Sequence, residues 1–208
     1  MDIRDRWIEL SEGLGFQFKD AITAFSESPR LLQAMQENGA PKNTSLLQNP
    51  FFARIFNKLF LGIAAGVYRG HECFLMRVPK GGSKSSSRNY EVCIAQLFKR
   101  GFDLGMKIYK ASPMTRIGMA LFPAFYVRLP DKGVSRVVAV RGRKKAQIMA
   151  RLSQAATLNA LKELAPMVNS FKVTDEGIKC RVNGEIIGEG PAIAIMDKMT
   201  EFSSCFTY

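Results

Sequence analysis

The sequence predicts an α+β fold: a mainly antiparallel sheet built from hairpins and a C-terminal three-strand meander, with helices packed on one face. Three observations carry this prediction. Apolar residues recur at helical spacing through the first sixty positions, and from Gly62 the period changes to two. The strand-like runs then follow one another through short turns, which antiparallel pairing allows; parallel pairing needs a long crossover. With 208 residues, 47% of them hydrophobic and 23% charged, the composition is that of a globular chain. That length suits a single domain over 1–208, with a possible subdivision near 111–133.

Asp2 is placed to cap a first helix whose apolar positions are Ile3, Trp7, Leu10 and Leu14, and this stripe predicts that Trp7 is buried. Phe16, Gln17 and Phe18 alternate as a short strand. Ser28-Pro29 pairs a capping residue with a proline at the first helical position, and Leu31, Leu32 and Met35 form the apolar face of that helix before Asn38-Gly39. Residues 40–49 read as a loop. Residues 51–60 carry Phe52, Ile55, Phe56, Leu59 and Phe60 on one helical stripe, with Arg54 and Lys58 off it, and the stripe is expected to face the core.

Tyr68-Arg69-Gly70 predicts a tight turn, and residues 71–78 alternate behind it as a strand. A glycine–serine loop over 79–88 leads to a second strand at 90–98. Lys99 to Asp103 then turn the chain toward a third strand bearing Leu104, Met106 and Ile108. Residues 116–129 are apolar, interrupted by Pro123, and carry no period that types them. Residues 134–141 are rich in β-branched side chains and read as a strand. Residues 143–164 read as the longest helix, stopped by Pro166. The meander comprises 171–174, 178–182 and 185–187, the last two joined by Asn183-Gly184 as a hairpin. Gly190-Pro191 opens a final helix with Ile195, Met199 and Phe202 inward.

Charge is distributed unevenly. Residues 51–150 carry 19 basic and 4 acidic side chains, net +15, whereas 1–50 stand at −2 and 151–208 at −1. Such a basic middle suits an acidic partner, a polyanion or an anionic membrane surface. The expected function is therefore a non-enzymatic binding or interaction domain with a basic central surface. One alternative is polyanion or nucleic-acid binding through the basic 80–145 segment: Lys80, Lys84, Arg88, Lys99, Arg100, Arg141, Arg143, Lys144 and Lys145. Arg141 to Lys145 is the densest cluster, at a predicted strand–helix junction. The other alternative is peripheral membrane association through the amphipathic 51–60 segment.

Catalytic signals are weak by comparison. Gly81-Gly82-Ser83-Lys84 lacks the GxxxxGK[ST] spacing of a phosphate-binding loop. His71 is the single imidazole, and its place after a turn predicts a half-exposed structural role. Neither a catalytic residue, nor a metal site, nor a cofactor is expected. Cys73, Cys93, Cys180 and Cys205 show no CxxC pairing; reduced thiols and a cytoplasmic location follow from that usage. Asp2, Arg4 and Asp5 precede any apolar block, unlike a signal peptide, and the longest uncharged runs, 59–68 and 117–127, fall well short of the roughly 20 residues a spanning helix needs. The sequon Asn43-Thr44-Ser45 therefore carries no weight.

Overall fold

The computed structural model describes residues 2–35, 49–50, 54, 61–80 and 90–206. The amphipathic 51–60 segment (Arg54 apart), the 81–89 loop and the sequon lie outside the described residues, and with them Lys84 and Arg88. Among the described residues there are eight helices and eight strands, and the strands pair antiparallel, which is the α+β class. The chain forms two compact units, residues 1–97 with 181–193 and residues 98–180 with 194–208.

The first unit begins with α1 (Ile3–Gly13), fixed by a reciprocal capping box between Asp2 and Asp5. Its Trp7 is buried, and the indole N–H donates to the Glu185 carbonyl at 3.0 Å. β1 (Gln17–Lys19) is followed by α2 (Ala21–Glu27), an element the hydrophobic pattern did not reveal. The signal was Asp20, whose carboxylate caps the Thr23 amide at 3.0 Å. α3 (Pro29–Met35) starts where Ser28-Pro29 predicts, with the Ser28 hydroxyl accepting from the Leu31 amide.

β2 (Ile63–Tyr68) and β3 (His71–Pro79) form a hairpin whose two turn residues, Arg69 and Gly70, both lie at positive φ. That geometry matches the right-handed twist of the flanking strands, and glycine adopts it without a Cβ penalty. β4 (Tyr90–Leu97) pairs with β3, and the order β1-β2-β3-β4 follows the chain. Phe25, Leu31 and Leu32 pack against Ile63, Phe74, Met76, Cys93 and Leu97 as one apolar core. Two charges are buried in these same strands. The Arg77 guanidinium lies 4.1 Å from the Tyr90 ring and 3.5 Å from the Glu185 carboxylate, while Glu91 accepts from Arg181 at 3.3 Å. His71 is buried as well, at 5% exposure, which corrects the half-exposed expectation: the strand it opens is covered almost to its end.

In the second unit β5 (Lys107–Lys110) lies between β6 (Val138–Arg141) and β7 (Ser170–Thr174). The Asp175 carboxylate accepts the amides of Gly105 and Met106 at 2.7 and 3.1 Å, which sets the entry to β5. Three elements differ from expectation. Residues 134–137 are not strand but the end of α5 (Lys132–Val137), because Asp131 caps the amides of Gly133 and Val134; a helix cap overrides β-branched propensity. The long helix is two, α6 (Lys145–Leu152) and α7 (Ala155–Met167). Ser153 ends the first by bonding back to the Ala150 carbonyl, and Gln154 is extended.

The meander has two strands, β7 and β8 (Gly177–Asn183), and residues 185–187 are not a third. Gly184 at φ +116° turns the chain away from a hairpin, and the Glu185 carbonyl serves Trp7 instead of a ladder. The last helix, α8 (Glu189–Phe206), is the longest among the described residues and buries Ile195, Met199 and Phe202. No helix of the described residues is long and apolar enough to cross a membrane. All four cysteines are free; burial pushes the Cys73 thiol up to about 12.

Candidate interaction surface

Between β5 and β6 the chain makes an excursion that sequence periodicity left untyped. Ser112 caps α4 (Pro113–Leu121) by accepting from the Thr115 amide at 3.1 Å, with Pro113 at the first helical position. A 3-10 turn at Pro123–Phe125 follows, and the Val127 amide returns the chain to β6 by donating to the Val140 carbonyl at 2.9 Å. None of the side chains of α4 or of the turn is buried. Met114, Ile117 and Leu121, spaced i, i+3 and i+7, share one face of α4. Together with Phe122 and Phe125 they stand 53–75% exposed, and they make up all but one of the large hydrophobic side chains exposed among the described residues. Soluble surfaces scatter such side chains singly; a contiguous group marks a contact site.

Basic groups border this apolar group. The Arg141 guanidinium stacks 5.9 Å from the Phe125 ring and 5.4 Å from the Tyr126 ring, and the Lys145 ammonium donates to the Ala124 carbonyl. Arg116 and Arg128 are exposed. From 104 to 130 the chain carries four cations, Lys107, Lys110, Arg116 and Arg128, and no carboxylate. A cavity of about 350 Å³ opens on the inner side of α4, between Met119 and Pro123 and the wall formed by Val127, Leu129 and Val138, with Arg128 and Tyr126 also lining it. Tyr126 and Arg141 line a smaller hollow of about 230 Å³ with Phe122 and Phe125. Burial, and next a hydrogen bond with Tyr126, hold the Tyr109 hydroxyl above its usual pKa, partly offset by Arg141.

The side chains of the 141–145 cluster divide between two sets of partners. Arg141 and Lys145 serve the aromatic turn, while Arg143 and Lys144 converge on Asp103 at 3.3 and 2.9 Å. Lys144 first, and Arg143 after it, hold the Asp103 carboxyl below its ordinary range. Lys99 and Arg100 are exposed in the bend after β4. Lys80, in the first unit, donates to the Asn183 side chain at 3.3 Å. What sequence reasoning missed is the α4 face. Its signal was present in Ser112-Pro113, the same cap-plus-proline pair that marks α3, followed by the i, i+3, i+7 spacing of Met114, Ile117 and Leu121.

Among the described residues no three His, Cys, Asp or Glu side chains are grouped so as to hold a metal ion. The sequence matches no family model and no curated protein. The fold resembles the crystal structure of the mycobacterial trehalose monomycolate transport factor A, TtfA, with a TM-score of 0.55 over 99% of this chain and 94% of that one. At 9% identity the likeness is one of fold.

Proposed function

We propose that the chain is a non-enzymatic, cytoplasmic interaction domain that docks on an anionic membrane surface through α4 and the 3-10 turn. The supporting observation is the exposure of Met114, Ile117, Leu121, Phe122 and Phe125 on a segment that buries none of its own side chains. The four buried or half-buried free thiols suit a reducing compartment. The fold neighbour TtfA is a trehalose monomycolate transport factor; at 9% identity that likeness is one of fold, and the reading rests on the α4 face.

Magnitudes decide how such docking would behave. Burying one Ile, Leu, Met or Phe side chain contributes about 1.5–3 kcal/mol, and a cation near an anionic bilayer about 1 kcal/mol. Arg116, Arg128, Arg141 and Lys145 therefore select the charge of the surface, and the five apolar side chains supply most of the affinity. Binding then weakens with added salt without vanishing, in contrast to the steep salt dependence of a polyanion complex.

Co-sedimentation with vesicles tests this. The wild type pellets with phosphatidylglycerol–phosphatidylcholine vesicles and less with phosphatidylcholine alone; the double variant Ile117→Glu, Leu121→Glu stays in the supernatant with an unchanged melting temperature. Wild-type protein that stays in the supernatant with both vesicle types would overturn the reading.

A further inference from the structure

The cavity behind α4 is a different feature from the exposed face, because other side chains of the helix line it. Met119 and Ala120 line it on the helix side, and Val127, Leu129 and Val138 form the opposite wall, so the helix touches β6 without filling the space beside it. A helix normally buries an apolar stripe against its own domain. Here the space such a stripe would fill is open, about 350 Å³ in volume, within the range of small-molecule sites.

The lining is chemically two-sided. Its walls are mainly aliphatic, with Ser135 at one edge, and the charged side chain in it is Arg128, which is exposed; the nearby Asp131 carboxylate is taken up in capping the amides of Gly133 and Val134. Tyr126 supplies a phenol close to the helix: a Cβ at Gly118 would meet its oxygen at 3.2 Å, so glycine there lets the ring lie against α4. Apolar walls with one cation match an apolar chain that ends in an anion. We infer that this cavity binds a single-chain anionic amphiphile of the fatty-acid type, the chain along Met119, Val127, Leu129 and Val138 and the carboxylate at Arg128. The site uses the same helix as the proposed membrane contact and so rests on that reading, but the two surfaces are separable by mutation.

The probe is cis-parinaric acid, a fatty acid whose fluorescence rises in an apolar site. The wild type binds it saturably, one per chain. Met119→Trp, which fills the cavity, weakens that binding at least tenfold while still pelleting with anionic vesicles. Ala120→Trp, at an exposed lining position, does the same and decides the matter should Met119→Trp lose the native melting transition. Arg128→Gln weakens the acid but not the corresponding neutral alcohol. The Ile117→Glu, Leu121→Glu variant loses vesicles and keeps parinarate. Absence of saturable parinarate binding by the wild type, or wild-type affinity in a folded tryptophan variant, overturns the acyl-chain site and leaves vesicle docking standing; parinarate binding by a wild type that stays in the supernatant with anionic vesicles overturns the membrane reading alone.

Discussion

The β3–β4 hairpin and the α4–turn excursion are almost equally apolar, eleven of seventeen residues against eight of thirteen, yet their fates are opposite. All but three residues of the two strands are buried, and none of the helix or turn is. The charges are inverted too. Arg77 and Glu91 lie inside with Glu185, Tyr90 and Arg181 to receive them, whereas Arg116 and Arg128 stand outside with the apolar side chains. Apolar content alone thus does not decide burial. A strand shares its faces with neighbours that cover it, while a helix on an excursion is covered only if something else arrives. The first region is covered architecture, and the second is the bare apolar face on which the proposed function rests.

The sharpest break of this comparison is one substitution made in both regions. Ile94→Asp in β4 puts an unpaired charge where exposure is zero, at a cost of several kcal/mol against a total stability of roughly 5–15 kcal/mol, and the protein is expected to unfold. Ile117→Asp in α4 is expected to stay within about 0.5 kcal/mol of wild type. Thermal melts followed by circular dichroism check both, and a destabilised Ile117→Asp would mean that α4 is structural after all.

Aromatic truncation gives a smaller contrast. Trp7→Ala removes a buried ring and strands the Glu185 carbonyl, with an expected loss of about 3–5 kcal/mol. Phe125→Ala removes an exposed ring stacked on Arg141 and should cost less than about 1 kcal/mol. Urea titrations measure both, and native tryptophan emission should be that of a buried indole.

The smallest effect is at a helix cap. Asp20→Ala should cost about 1 kcal/mol. Burial pushes the Asp20 carboxyl up, but hydrogen bonds from the Thr23 hydroxyl and the amides of Thr23 and Ile22 outweigh it, leaving the pKa below the ordinary value. A carboxyl lowered in the folded state stabilises above its unfolded pKa, and that stabilisation is lost as pH falls through the folded one. The gap between wild type and Asp20→Ala should therefore shrink on acidification below about pH 4. A gap that widens in acid would contradict the cap.

Legibility in the sequence followed the range of the interaction. Local chemistry was readable: the Asp2 cap, Ser28-Pro29, the Arg69-Gly70 turn and the period of β3 and β4 all act within a few residues. The errors came where a distant or competing bond decided. Asn183-Gly184 has hairpin chemistry, but Trp7 claims the carbonyl of Glu185 from 178 positions away. Val134 and Val137 have strand propensity, and one carboxylate at Asp131 outweighs it. At the candidate site the cations were visible, but how Arg141 and Lys145 divide from Arg143 and Lys144 depends on Asp103 and on the aromatic turn. The exposed face of α4 was hidden because an apolar stripe looks the same whether it is covered or bare.

The first unit is interrupted in the chain: residues 181–193 complete it after the 83 residues of 98–180 have been made. A ribosome adding about 5–20 residues per second needs roughly 4–17 s for that stretch. Throughout that interval Trp7 has no acceptor at Glu185, Arg77 has no carboxylate, and Glu91 has no guanidinium. The nascent strands, though their core with α2 and α3 is already encoded, must therefore wait for sequence not yet translated to satisfy these polar groups. The polar pairs of the first unit close only after residues 181–193 have been made.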